Sequence, residues 1–309
     1  MRKSQYSQCS SGAINIQQAN EVSTDNVTGI LDLRVDLVAS ESTADSFGEE
    51  VNQATASRFG YNRPPFDLVL YCQPPGLGYD GSTNWVAYAY LGRYDSYYND
   101  YYCRSVSAQM HEVGHNLFLQ HSGKGDDVYG DESGRMGYSY GGDDTPIQCF
   151  NAAKSYQLGW YPAQMVDIDP LSLPCGSQSF VMNGIVDYDD SNDGEGRLVV
   201  LRLAYQGNRE NGLDWYIGYN RQADENIMAQ AAQNKITIIE KSNPYGAQYG
   251  YNFSGQTDRI ADLSIGQSFS WNIGSQRVNV TYNSLSIDGR DVSITIEGVR
   301  GHVSLPHHL

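Results

Sequence analysis

Residues 111–121 read HEVGHNLFLQH, three histidines and a glutamate within eleven positions. On an α-helix, residues four apart share a face, so His111 and His115 present their imidazoles one turn apart. That pair can approach one tetrahedral Zn2+ at about 2.0–2.1 Å. Glu112 lies beside them, placed to reach a water at the metal without ligating it. It is a candidate general base, taking a proton from the attacking water and passing it to a leaving amine. A catalytic site needs a third protein ligand and an open fourth position. His121, six residues beyond His115, can be that ligand only if the helix stops near residue 118 and the chain turns back.

A turn at that point calls for a residue at positive φ, which glycine adopts freely. The residue present is Phe118. A non-glycine residue in the left-handed region costs about 1–2 kcal/mol. That is small beside the roughly 10–16 kcal/mol apparent binding energy of structural zinc in finger peptides. Phe118 is therefore expected to strain the turn and leave the site in being. The competing third ligand is Glu132, but glutamate ligands of that kind sit on a second helix, and GDDVYGDESG has no helical pattern. The bland readings are a chance match or a buried pair of histidines on a helix.

Working outward, LDLRVDLV (31–38) alternates apolar and polar residues and predicts a half-buried strand. Phe47, Val51, Ala54 and Phe59 fall at helical intervals across 44–59. FDLVLYC (66–72) and NWVAYAYL (84–91) predict strands, the second either an interior strand or an edge able to pair with an extended peptide. A helix is expected to end in the histidine motif, and a short one over 151–160. From about residue 165 strand-like runs dominate, among them QSFVMNGIV, RLVVLRLAY, LDWYIGYN, KITIIEK, SFSWNI, RVNVTYN and DVSITIEGV. They predict an all-β sandwich domain over 164–300, joined through a linker at 162–176, with residues 301–309 a peripheral tail.

The net charge of −16 over 309 residues excludes the basic surface a nucleic acid needs and disfavours an anionic membrane surface. No apolar run approaches a membrane span. The N-terminus lacks the apolar core of a signal peptide, so the chain is either cytosolic or a mature fragment, and the cysteines favour an exported protein. Five cysteines in no metal-binding spacing predict two disulfides and one leftover thiol, with the pairing open. Sequons stand at Asn26, Asn252 and Asn279.

Other motifs are weaker. Gly76, Gly78 and Gly81 spell G-x-G-x-x-G, but prolines precede it and a strand follows, where a dinucleotide site needs a helix. Ser139 in GYSYG lacks the strand and helix of a hydrolase elbow. DYDDSNDGEG (187–196) is a candidate Ca2+ loop that fails the EF-hand test, since Val200 stands where the glutamate belongs. A solvated turn is the ordinary reading, and the cluster Asp126, Asp127 and Asp131 is similarly open.

HEVGHNLFLQHS, then Met136 in GDESGRMGYSY, then CFNAAKSYQLGWY, occur in one order and resemble the gametolysin family of metzincin zinc metallopeptidases. YCQPPG and NWVAYAYLG are in keeping with it, and the resemblance spans about 60–165. It implies an α+β metzincin-like catalytic domain over 1–163, a mixed twisted sheet with an active-site helix, ahead of the β-sandwich. It implies His111, His115 and His121 as zinc ligands, Glu112 as general base and Met136 as an apolar floor beneath them. In some metzincins a tyrosine placed like Tyr138 donates to the oxyanion; packing in a tyrosine-rich chain is its other reading. Phe118 departs from the family, which carries glycine there. Gametolysins are secreted and cut matrix or cell-wall glycoproteins, and an inhibitory prosegment, expected to be absent from this chain, accompanies their synthesis. The alternative is a non-catalytic matrix or adhesion protein with a structural zinc; an aminopeptidase is a lesser one.

Overall fold

The computed structural model describes residues 3–60, 64–138, 147–190, 196–204, 214–241, 255–273 and 275–299. Ser139, Asn252, residues 191–195 of the acidic run and the tail 301–309 lie outside them. The fold is mixed α/β, with few helices and several sheets. The helices are α1 (Lys3–Cys9), α2 (Ala44–Phe59), α3 (Val106–Asn116) and α4 (Ala152–Leu158). The first strands are β1 (Ser23–Thr24), β2 (Val27–Thr28), β3 (Val69–Gln73), β4 (Ala87–Ala89), β5 (Asp95–Asn99) and β6 (Ser122–Gly123). Then come β7 (Met165–Ile168), β8 (Ser177–Asn183), β9 (Arg197–Leu198), β10 (Val200–Leu203), β11 (Asp214–Asn220) and β12 (Lys235–Lys241). The last are β13 (Thr257–Leu263), β14 (Ser268–Ile273), β15 (Gln276–Leu285) and β16 (Asp291–Val299). Contacts divide the chain into two compact units, one built chiefly on 12–119 and the other chiefly on 120–138 and the chain after 147.

In the first unit, α2 opens on Thr43, whose hydroxyl accepts from the Ser46 N–H in a capping box, and closes on Gly60 in the left-handed region. Phe47 and Val51 bury against Tyr71, Tyr88 and Tyr97 of a three-stranded sheet. Its order is β3-β5-β4, with β5 parallel to β3 and antiparallel to β4. The central strand, DSYYN, is buried at every position. Its polar atoms find partners inside: Tyr97 donates to Asp95, Tyr98 donates to Ser96, and Arg93 grips Asp95 with two hydrogen bonds. Such satisfaction is what lets a polar strand lie in a core. β4 sits at the sheet's edge and covers only three residues of the expected 84–91 strand. LDLRVDLV forms no strand: Leu31, Leu33 and Val35 alternate in burial with Asp32 and Arg34, but the backbone joins no ladder.

The second unit carries a six-stranded sheet, β6-β13-β12-β11-β10-β7, and a five-stranded sheet, β14-β15-β16-β8-β9. Leu201, Ile217, Ile236 and Ile238 of the first share one apolar cluster with Val278, Val280, Val292 and Ile294 of the second. α4 packs on β10, β11 and β12. Three strands of this unit stand where none was expected, the short β6 among them. β7 lies inside the expected linker and pairs in parallel with β10. β13 is rich in charge, and its Arg259 is nonetheless buried. Cys9–Cys149 and Cys72–Cys103 are disulfides, and Cys175 is the free, exposed thiol. Among the described residues no helix is long and apolar enough to cross a membrane.

Candidate metal centre

α3 begins at Ser105, whose hydroxyl accepts from the Ala108 N–H, and all eleven of its residues are buried. The Tyr6 hydroxyl donates to the Met110 carbonyl at 2.6 Å, tying α1 to the middle of this helix. His111 and His115 stack edge to face, with ring centroids 4.9 Å apart.

The helix then stops by hydrogen bonding. Leu119 N–H reaches back to the Gly114 carbonyl, and Phe118 N–H to the His115 carbonyl. These are the two bonds of a Schellman cap, and Phe118 takes its left-handed residue at φ +68°. The Phe118 ring lies over Gly92: a Cβ added there would meet the ring at 2.1 Å. The Gly92 N–H also donates to the His115 carbonyl at 3.0 Å. The turn expected after the helix is therefore present, with an aromatic residue at its left-handed corner.

Past that corner the ligand nitrogens of His111, His115 and His121 lie within 4.8 Å of one another, and among the described residues this is the one cluster able to hold a metal ion. Glu132 is outside it. His115 Nδ1 lies 2.7 Å from the Leu119 carbonyl. A carbonyl can only accept, so the proton sits on Nδ1 and the Nε2 lone pair is left for a metal. Three imidazoles suit zinc, and the donor set fits it.

Glu112 is 3% exposed, and burial pushes its carboxyl up to about 8. A dication nearby draws such a group back down. Met136 is fully buried, and its carbonyl accepts from the Ser122 N–H, the residue after His121. Gly137 follows where a Cβ would meet the Asp131 carbonyl at 1.9 Å, so no larger residue fits. Tyr138 is 54% exposed, and its N–H donates to the Tyr129 carbonyl.

Three of the acidic residues considered for calcium are engaged by protein groups. Asp127 caps the Tyr129 N–H, Asp187 is paired with Arg221, and Asp131 is buried among four side chains that donate to it. This last network was not legible in the sequence, because its members, Ser122, Asp131, Ser133, Asn151 and Arg259, share no spacing. The G-x-G-x-x-G stretch leads to β4 and opens no helix.

Neither a search of curated proteins nor one of solved structures found a match. The gametolysin peptidase M11 profile matches residues 3–271, from α1 to the middle of β14. Over most of its length, then, the chain carries the pattern of one family, and it belongs to the gametolysin peptidase M11 family of metallopeptidases.

Proposed function

We propose that the chain is a secreted zinc endopeptidase of metzincin type, acting on matrix or cell-wall glycoproteins. Its catalytic machinery would be His111, His115 and His121 as ligands and Glu112 as general base. The observation that carries the reading is the convergence of three histidines across a capped turn, beside a buried glutamate. When bound, zinc supplies a Lewis acid that acidifies water and polarises a carbonyl. The chain's own part is the rest. The Leu119 carbonyl orients His115. Glu112 takes a proton from the attacking water and returns it to the leaving amine. β4, an edge strand among the described residues, can take an extended peptide as an added strand. Tyr138 is the candidate donor to the oxyanion.

Two disulfides support export, since such bonds persist in oxidising compartments. The buried core shared by the two large sheets supports a β-sandwich beyond the catalytic domain. Phe118 was the feature favouring a structural zinc in a non-catalytic matrix protein, and the Schellman bonds accommodate it.

The test is hydrolysis of casein or gelatin by the purified chain. The expected outcome is activity lost to a chelator, restored by zinc, and reduced at least about 100-fold in Glu112→Ala, as for loss of a general base. A folded, zinc-loaded chain with no activity on either substrate, or a Glu112→Ala variant as active as wild type, would overturn it.

A further inference from the structure

His121 has no helix to hold it. His111 and His115 are fixed by α3, but His121 follows the Schellman turn on extended chain, and its imidazole goes where the backbone of 121–122 goes. Three of the four backbone groups there are tied within the second unit. The His121 carbonyl accepts from Thr257 N–H at 3.1 Å, the Ser122 N–H donates to Met136, and the Ser122 carbonyl accepts from Asp131 N–H. β6 thereby becomes the edge of the six-stranded sheet, parallel to β13.

The side chains repeat the arrangement. The Ser122 hydroxyl donates to Asp131 Oδ2 at 2.9 Å and lies 2.8 Å from the Thr257 hydroxyl. Asn151 Nδ2 donates to both Ser122 Oγ and Asp131 Oδ2 at 2.8 Å. Arg259 Nε and the Ser133 hydroxyl converge on Asp131 Oδ1. Asp131, Ser122 and Thr257 have no exposed surface, and Arg259 is 4% exposed. A buried ion pair is a weak way to gain stability, because desolvation offsets most of the attraction; a defined geometry is a better-attested gain. Here the geometry defined is that of the residue next to His121.

We infer that Asp131, held by Arg259 of β13 and acting through Ser122, is the positioning residue for His121, so that metal affinity is set from the C-terminal six-stranded sheet. This rests on the reading of His111, His115 and His121 as the metal site. Family membership does not assign these residues any role, and the matched span includes them all.

The experiment measures zinc affinity of the full chain by chelator competition, and the visible absorption of the Co2+-substituted protein, which reports ligand number and geometry. Wild type is compared with His121→Ala, Asp131→Asn and Thr257→Val. Arg221→Met, which breaks the partly buried pair with Asp187, serves as a stability control. Asp131→Asn is expected to weaken zinc binding about 10–100-fold, as loss of outer-shell support does elsewhere. Its Co2+ spectrum should shift toward that of His121→Ala. Thr257→Val should move both readouts less, in the same direction, and Arg221→Met should lower Tm and move neither.

An Asp131→Asn chain with lowered Tm but wild-type affinity and spectrum overturns the inference. Should that variant fail to fold, unchanged affinity and spectrum in Thr257→Val overturn it. A wild type that binds no zinc overturns the metal site itself. A wild type that binds zinc, with His121→Ala weakened and Asp131→Asn unchanged, overturns only the positioning role.

Discussion

Phe118 stands at the corner of the candidate site where a glycine was expected, and the structure shows what accommodates it. Its φ of +68° carries the ordinary cost of a left-handed side chain, about 1–2 kcal/mol. Its ring takes the space above Gly92, a residue also at φ +68°. The two positions are therefore coupled. Gly92→Ala is expected to destabilise the chain by roughly 2–3 kcal/mol, combining backbone strain with a clash against the ring. Phe118→Gly should recover the clash but not the strain, giving a coupling of about 1 kcal/mol or more in a double-mutant cycle read by urea unfolding. Strictly additive effects would mean that the ring does not rest on Gly92. The histidine spacing was legible because helix geometry alone brings His111 and His115 together. The left-handed turn was legible because His121 had no other way back to them. The ring's resting place was not, since nothing near Gly92 in the sequence points to residue 118.

Elements were legible where their pattern matched their burial. α2 and α3 follow helical spacing, and β12, β15 and β16 are apolar runs that fill one core. The sequence reading passed over β5 and β13 because each buries polar side chains that are satisfied by partners far away in the chain, Asp131 for Arg259 among them. It expected a strand at 31–38 because alternating burial is there, but a ladder partner is not. A buried charge of the same kind ends β12. Lys241 is 2% exposed, and burial pushes its ammonium down to about 8. At neutral pH the folded chain carries the cost of that buried charge. Between about pH 8 and the ordinary lysine value near 10.4 the unfolded chain holds more protons than the folded one, so this group makes stability rise with pH. The stability difference between Lys241→Met and wild type should therefore be largest near pH 7 and shrink toward about pH 10. Beyond that, buried phenols such as Tyr161 and Tyr216, raised by burial, pull the other way. Parallel unfolding curves across that range would rule out the buried-charge explanation.

At the scale of the whole chain, the family match runs on to residue 271, through β13 and into β14. The six-stranded sheet thus lies inside the matched span, while β15 and β16 of the five-stranded sheet lie beyond it; that agrees with β13 supplying the backbone partner of His121. The sequence read those strands as a separate sandwich because its evidence was local alternation, and alternation cannot reveal that a two-residue strand at 122–123 joins a sheet whose other members lie from 165 to 263. The proposed function requires His111, His115 and His121, whose ligand atoms lie within 4.8 Å of one another, to hold one ion. The direct measurement is anomalous diffraction at the zinc edge from crystals of the full, zinc-loaded chain. The expected result is one peak bonded to the imidazoles of His111, His115 and His121, at about 2.0–2.1 Å. A peak bonded to Glu132 in place of His121, or zinc bound only elsewhere, would contradict it.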